Sequence, residues 1–141
     1  MKTLASGLSE VIPDSEHLAR FLTSSSQYNT NGVKHAAFLP SPQDRSTSVF
    51  RHSGKPESQL WQIGMDHAVG ERTLYGAALV TAKQVRLAHL ALEADEPPPR
   101  HAAIVGWPAV ESDPDLERAR HKELAAVISS NACLILRKSS A

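Results

Sequence analysis

The stretch PPPRHAAIVGWP, Pro97 to Pro108, constrains the fold more than any other part of the chain. Consecutive prolines fix the backbone and supply no N–H donors, so Pro97, Pro98 and Pro99 form a surface loop and Pro108 stops whatever follows them. Between these stops, HAAIVGW is short and almost wholly apolar, the pattern of a strand covered on both faces. A chain containing such a strand has to supply the rest of a sheet and the layers that cover it.

The remaining segments supply both. TSVFR, from Thr47 to Arg51, reads as a strand, and Val33 to Leu39 reads as another, joined to it through PSPQDRS as a wide hairpin. TLYGAALVT reads as a strand in which Gly76 permits a bulge or a close backbone approach. AKQVRL then makes a helical turn leading into a strand at AHLALEA. One continuous helix from Ala77 to Glu93 is the alternative, since the window is rich in alanine and leucine.

Three segments carry helix signals. Asp14 or Ser15 caps a first helix with Leu18, Phe21 and Leu22 at helical spacing. Pro56 opens a short second helix with Leu60, Trp61, Ile63 and Met65, ended by Gly70. Ser112 or Asp113 caps the last, with Leu116, Arg120, Leu124, Val127 and Ile128 near one face. NACLILRK follows, as a terminal strand or as more helix beyond a break at Asn131.

At 141 residues, 41% hydrophobic and 21% charged, the composition is that of one globular domain. The expected fold is α+β: a small mixed or antiparallel sheet from the Val33, Thr47, Thr73 and His101 segments, packed against two or three helices. Residues 1–12 are expected to form a loosely ordered N-terminal segment of this single domain.

Lysine plus arginine equals aspartate plus glutamate at 15 each. There is no overall basic field to draw in a phosphate backbone, so nucleic acid is expected only at a local basic patch. The single cysteine, Cys133, sits in the apolar run ACLIL and reads as a small buried hydrophobe. One cysteine makes no internal disulfide, and no apolar run reaches the length of a signal peptide or a membrane span. These observations point to a cytoplasmic protein without a membrane partner.

Seven histidines invite metal or acid-base chemistry, but HExxH, HxH and paired cysteines are all missing, and no metal is expected. No phosphate-binding glycine loop, GxSxG elbow or SxxK occurs, and no cofactor is expected. The Arg100–His101 pair is the more informative feature. A histidine at the mouth of a core strand is held in place yet stays near the surface, as proton transfer requires. His35 and His52 occupy comparable ends of the other expected strands, with Arg51 and Lys55 close by. Were these to converge, His101, His35 and His52 would be acid and base, and Arg100, Arg51 and Lys55 would hold an anion. The plain alternative is that they are strand-edge residues bonded to neighbouring carbonyls.

AFLPS with SVFR, then LWQIG, then RHAAIVGWP resembles a pattern of small bacterial and phage proteins in which a hairpin and a Trp-containing helix precede an Arg-His strand closing in Gly-Trp-Pro. The resemblance covers residues 37–108. It implies a bacterial or phage setting and an α+β domain, and it carries no activity, cofactor or catalytic residue to any position.

Two functions follow as expectations. The first is a small accessory protein acting through a protein partner, with Pro97, Pro98, Pro99 and Trp107 as the interface; a homodimeric scaffold is its close variant. The second is a metal-independent enzyme using the histidines and arginines above on a phosphate-containing or nucleic-acid substrate. Geometry separates them: the enzyme needs its side chains around one cleft.

Overall fold

A computed structural model describes residues 2–138. It contains strands β1 (His17–Leu22), β2 (Tyr28–Asn29), β3 (Gly32–Val33) and β4 (Thr47–Arg51), helix α1 (Glu57–Ile63), strand β5 (Gly76–Thr81), helix α2 (Ala82–Leu87), strands β6 (Ala91–Ala94) and β7 (His101–Val105), helix α3 (Pro114–Ser130) and strand β8 (Cys133–Leu136). Six strands form one sheet in the order β6-β7-β4-β1-β5-β8. Every neighbouring pair is antiparallel, and β2–β3 is a separate two-stranded ribbon. The architecture is α+β.

Both faces of the sheet are covered. Leu18, Leu22, Val49, Ala102 and Ile104 point to one layer, where Ala125 and Ile128 of α3 and Val85 of α2 pack. Ala19, Phe21, Phe50 and Ala77 point to the other, under Leu60 of α1. The proline-bounded run is a core strand, with Ala102, Ala103 and Ile104 all buried.

This two-sided burial explains the largest departure from the sequence reading. The expected first helix is instead β1, at the centre of the sheet between β4 and β5. A strand buried on both faces needs apolar residues at successive positions rather than alternate ones, and Leu18, Phe21 and Leu22 within such a run also fit helical spacing. Asp14 does not cap; its carboxylate pairs with Arg86.

The Val33–Leu39 strand is also corrected. Only Gly32–Val33 is extended, and His35–Ala37 forms a 3-10 turn. The sequence there, Lys-His-Ala-Ala, has no β-branched residue to favour a pleat. No hairpin joins this segment to β4, whose partners are β1 and β7.

The strand–turn–strand reading of residues 77–93 holds. Thr81 ends β5 and accepts a hydrogen bond from the Gln84 N–H, while the Gln84 side chain accepts from the Thr81 N–H. This reciprocal cap starts α2 within one residue of the strand. At Gly76 a Cβ would lie 2.4 Å from the Ile135 carbonyl oxygen, so only glycine allows β8 to pair here.

Helix α3 starts at the Asp113 cap, but its inward stripe is His121, Ala125, Ile128 and Ser129, with Leu116, Arg120 and Val127 exposed. Small Ala125 and Ser129 let the helix sit close to the sheet. C-terminal to it the chain returns as β8, where Cys133 is exposed on the edge strand rather than buried. No helix among the described residues is long and apolar enough to cross a membrane.

Candidate functional site

The structure gathers histidine and arginine residues into two clusters on the sheet. The first is at the N-terminal end of β1. Arg51 is 2% exposed and Glu16 6%, and the Arg51 Nε donates to Glu16 Oε1 at 3.0 Å. Arg51 Nη1 donates to the Ser9 carbonyl at 2.7 Å. The Glu16 carboxylate also accepts from the His17 N–H and the Ser53 hydroxyl. Arg51 is therefore paired with an internal carboxylate, and it ties the N-terminal segment to the end of β4.

His52 lies beside this pair, with its ring 5.5 Å from that of His17. It is 4% exposed, and neither ring nitrogen has a hydrogen-bond partner. Burial, together with the neighbouring His17 and Arg100 and against the pull of Glu16, lowers its pKa to about 4. His52 is thus enclosed beside the Glu16–Arg51 pair and does not line the cleft described next.

The second group surrounds a cleft of about 260 Å³ lined by Arg20, Phe50, His67, Arg72, Pro98 and His101, among others. The chain enters β7 through Arg100, which lies in the left-handed region at φ 70°. Its N–H is held by the Glu96 carboxylate at 3.1 Å, and its carbonyl accepts from the Arg51 N–H at 2.8 Å. Glu96 in turn accepts from the Ser6 hydroxyl and N–H. Burial opposes the Glu96 charge, but these hydrogen bonds outweigh it and hold the carboxyl below its usual range. The proline loop is thus tied down at its base, and Pro98 becomes a wall of the cleft while Pro97 and Pro99 are exposed.

His101 emerges opposite Phe50 in the ladder. Its Nδ1 lies 2.8 Å from the Asp95 carbonyl oxygen and 3.3 Å from the Asp95 carboxylate. A carbonyl only accepts, so Nδ1 carries the hydrogen and Nε2 of the neutral ring keeps its lone pair. His67 approaches from the π-helical turn Gly64–Ala68 that follows α1. Its ring stacks on Phe50 at 6.4 Å, and the His101 ring meets the same phenyl edge-on at 5.3 Å. One buried aromatic ring therefore positions both imidazoles.

Arg20 reaches this cleft through a gap in the sheet. Strands β1 and β4 pair only at Leu18–Arg51 and Ala19–Phe50. Beyond these positions Arg20 Nη1 donates to the Ser48 carbonyl at 3.0 Å and Nε to the Ala37 carbonyl at 2.8 Å. A side chain here takes the place of a main-chain donor. Arg72 is held by the Val69 and Ala68 carbonyls at 3.1 and 3.0 Å. Burial, and secondarily Arg72, lowers the Arg20 pKa, yet a guanidinium stays charged. Among the described residues neither arginine forms an ion pair, and no carboxylate lines the cleft.

Of the residues singled out in the sequence, His101 lines the cleft. Arg100 and Lys55 line a shallower groove beside it. His35, on its 3-10 turn, lines neither. Trp107 is 5% exposed and donates its indole N–H to the Ile104 carbonyl at 3.1 Å; it packs against His121 and is not an exposed anchor. His67, Arg20 and Arg72 were not identified from the sequence. Arg20 alone carried a signal, as a lone cation inside the apolar run HLARFL.

A larger groove of about 640 Å³ lies between residues 39–45 and α3, where Arg45 is paired with Glu117 and Arg118 with Asp115. No three histidine, cysteine, aspartate or glutamate side chains come together among the described residues as a metal-binding group. The chain matches no known protein-family model, curated protein or solved structure.

Proposed function

We propose that the protein is a His/Arg-based enzyme acting on a phosphate-containing substrate held in the Phe50 cleft. One observation carries this reading: Arg20 and Arg72, neither of them in an ion pair, line one cleft with two imidazoles that both contact the Phe50 ring, and no carboxylate lines it. Two like charges held together by the fold repel each other, and an anion between them removes that cost. Arg20 and Arg72 hold the phosphoryl oxygens. His101, oriented through Nδ1 by Asp95, takes a proton at Nε2 from an attacking water as its oxygen bonds to phosphorus and the P–O bond to the leaving group breaks. His67 in its protonated form gives one to the leaving oxygen. A cytoplasmic, bacterial setting belongs to this proposal and rests on the cysteine content and the resemblance described above.

The test is hydrolysis of bis(p-nitrophenyl) phosphate, with inorganic phosphate binding followed by calorimetry. Turnover lost in His101→Ala, with phosphate binding kept, supports the assignment. Wild-type protein that neither binds phosphate nor turns over the ester would overturn it.

The accessory-protein reading keeps one support. Pro97 and Pro99 are exposed beside the cleft on a loop anchored by Glu96, a rigid surface at which a partner protein or a second copy docks. Capture of a stoichiometric partner that is lost when both prolines are replaced by serine supports it.

A further inference from the structure

The groove that holds Lys55 and Arg100 has a volume of about 230 Å³ and shares one residue, His67, with the phosphate cleft. The two depressions also divide the segment entering β7, since Arg100 lines the groove and His101 the cleft. His67 is therefore the ridge between two cationic sites. On one side are Arg20 and Arg72; on the other are Lys55 and Arg100.

The charges in the groove are largely unspent. Arg100 Nη1 donates to the Arg51 carbonyl at 3.0 Å and lies 3.4 Å from the Ser53 hydroxyl, both neutral groups. Lys55 and Arg100 form no ion pair among the described residues. The one carboxylate in the groove, Asp66, accepts from the Gln62 amide at 2.8 Å. The chain has no net charge, so this pairing of sites is a local feature.

We infer that the substrate is a single-stranded oligonucleotide whose successive phosphates straddle His67, one in the Arg20–Arg72 cleft and the next in the Lys55–Arg100 groove. The inference rests on the phosphate reading of the cleft. It adds that a second anion site lies directly across the acid-base ridge, which a mononucleotide leaves unfilled and a phosphodiester chain fills. Backbone contacts of this kind give affinity without sequence preference and depend on salt.

Calorimetric titration with thymidine 5′-monophosphate (pT) and with its 5′-phosphorylated dinucleotide (pTpT) tests this. Wild-type protein is expected to bind pTpT about fivefold more tightly than pT, the upper end of what one exposed ion pair contributes. Lys55→Ala is expected to remove that advantage while leaving pT binding unchanged; Lys55 has no side-chain hydrogen bond to lose among the described residues, and circular dichroism checks the fold. Asp66→Asn is expected to strengthen pTpT alone. Equal affinity for the two ligands, or a Lys55→Ala loss shared by both, would overturn the second site while leaving the cleft standing. Failure of both ligands to bind would overturn the cleft itself and the second site with it.

Discussion

The Glu16–Arg51–His52 cluster and the His67–His101–Arg20–Arg72 cleft are made of nearly the same residue types, on one sheet. What separates them is the placement of a single carboxylate. Glu16 sits on Arg51, and the result is a neutral, enclosed knot that fastens residue 9 to the end of β4. In the cleft no carboxylate lines the wall, and Asp95 pairs with His101 rather than with either arginine. A histidine or arginine takes its role from its partner, and in this molecule partners come from distant parts of the chain.

The sharpest break is at Glu16. Its removal strands Arg51 as a buried, unpaired charge, so Glu16→Ala is expected to cost about 3–5 kcal/mol of stability, measured by urea denaturation, with little change in phosphate affinity near the transition-free baseline. His101→Ala should do the reverse: turnover falls about a hundredfold or more, and the denaturation midpoint barely moves. Similar losses of stability from both substitutions would erase the distinction between the two clusters.

Acid distinguishes them next. His52 has a folded pKa of about 4, below its ordinary 6.5, so the unfolded chain binds the extra proton first. Stability is then complete above pH 6.5 and falls as pH drops towards 4, by on the order of 3 kcal/mol over that window. Denaturation of wild type and His52→Leu across this range is expected to show a shallower slope in the variant; parallel curves would mean that His52 is not held neutral. Arg72→Ala is a smaller perturbation, weakening phosphate binding about tenfold with stability nearly unchanged, because its own partners are carbonyls near the surface. At the bottom of the scale, His35→Ala should leave turnover and stability within about 0.5 kcal/mol of wild type.

The parts of this molecule that were legible in the sequence are those with local punctuation. Prolines bracket β7 and Asp113 caps α3, so these elements stand where the residues place them. Strand β1 was misread because burial on both faces erases the alternation that distinguishes a strand from a helix. His101 was legible as a histidine at a strand mouth. Its neighbours were not, since His67, Arg72 and Arg20 come from a π-helical turn, a loop and the central strand, and no spacing links them. Nor does spacing reveal that Arg51 is already engaged by Glu16, 35 positions earlier.

The central position of β1 makes the two ends of the chain unequal. The second strand of the main sheet to be made, β4, has only a two-pair ladder with β1, and the long β1–β5 ladder waits for residue 81 to be synthesised. A ribosome will thus have released more than half the protein before its middle strand is flanked on both sides. Trimming β8 would shorten one border of the sheet, whereas trimming through Leu22 would divide it into two fragments, β6-β7-β4 and β5-β8.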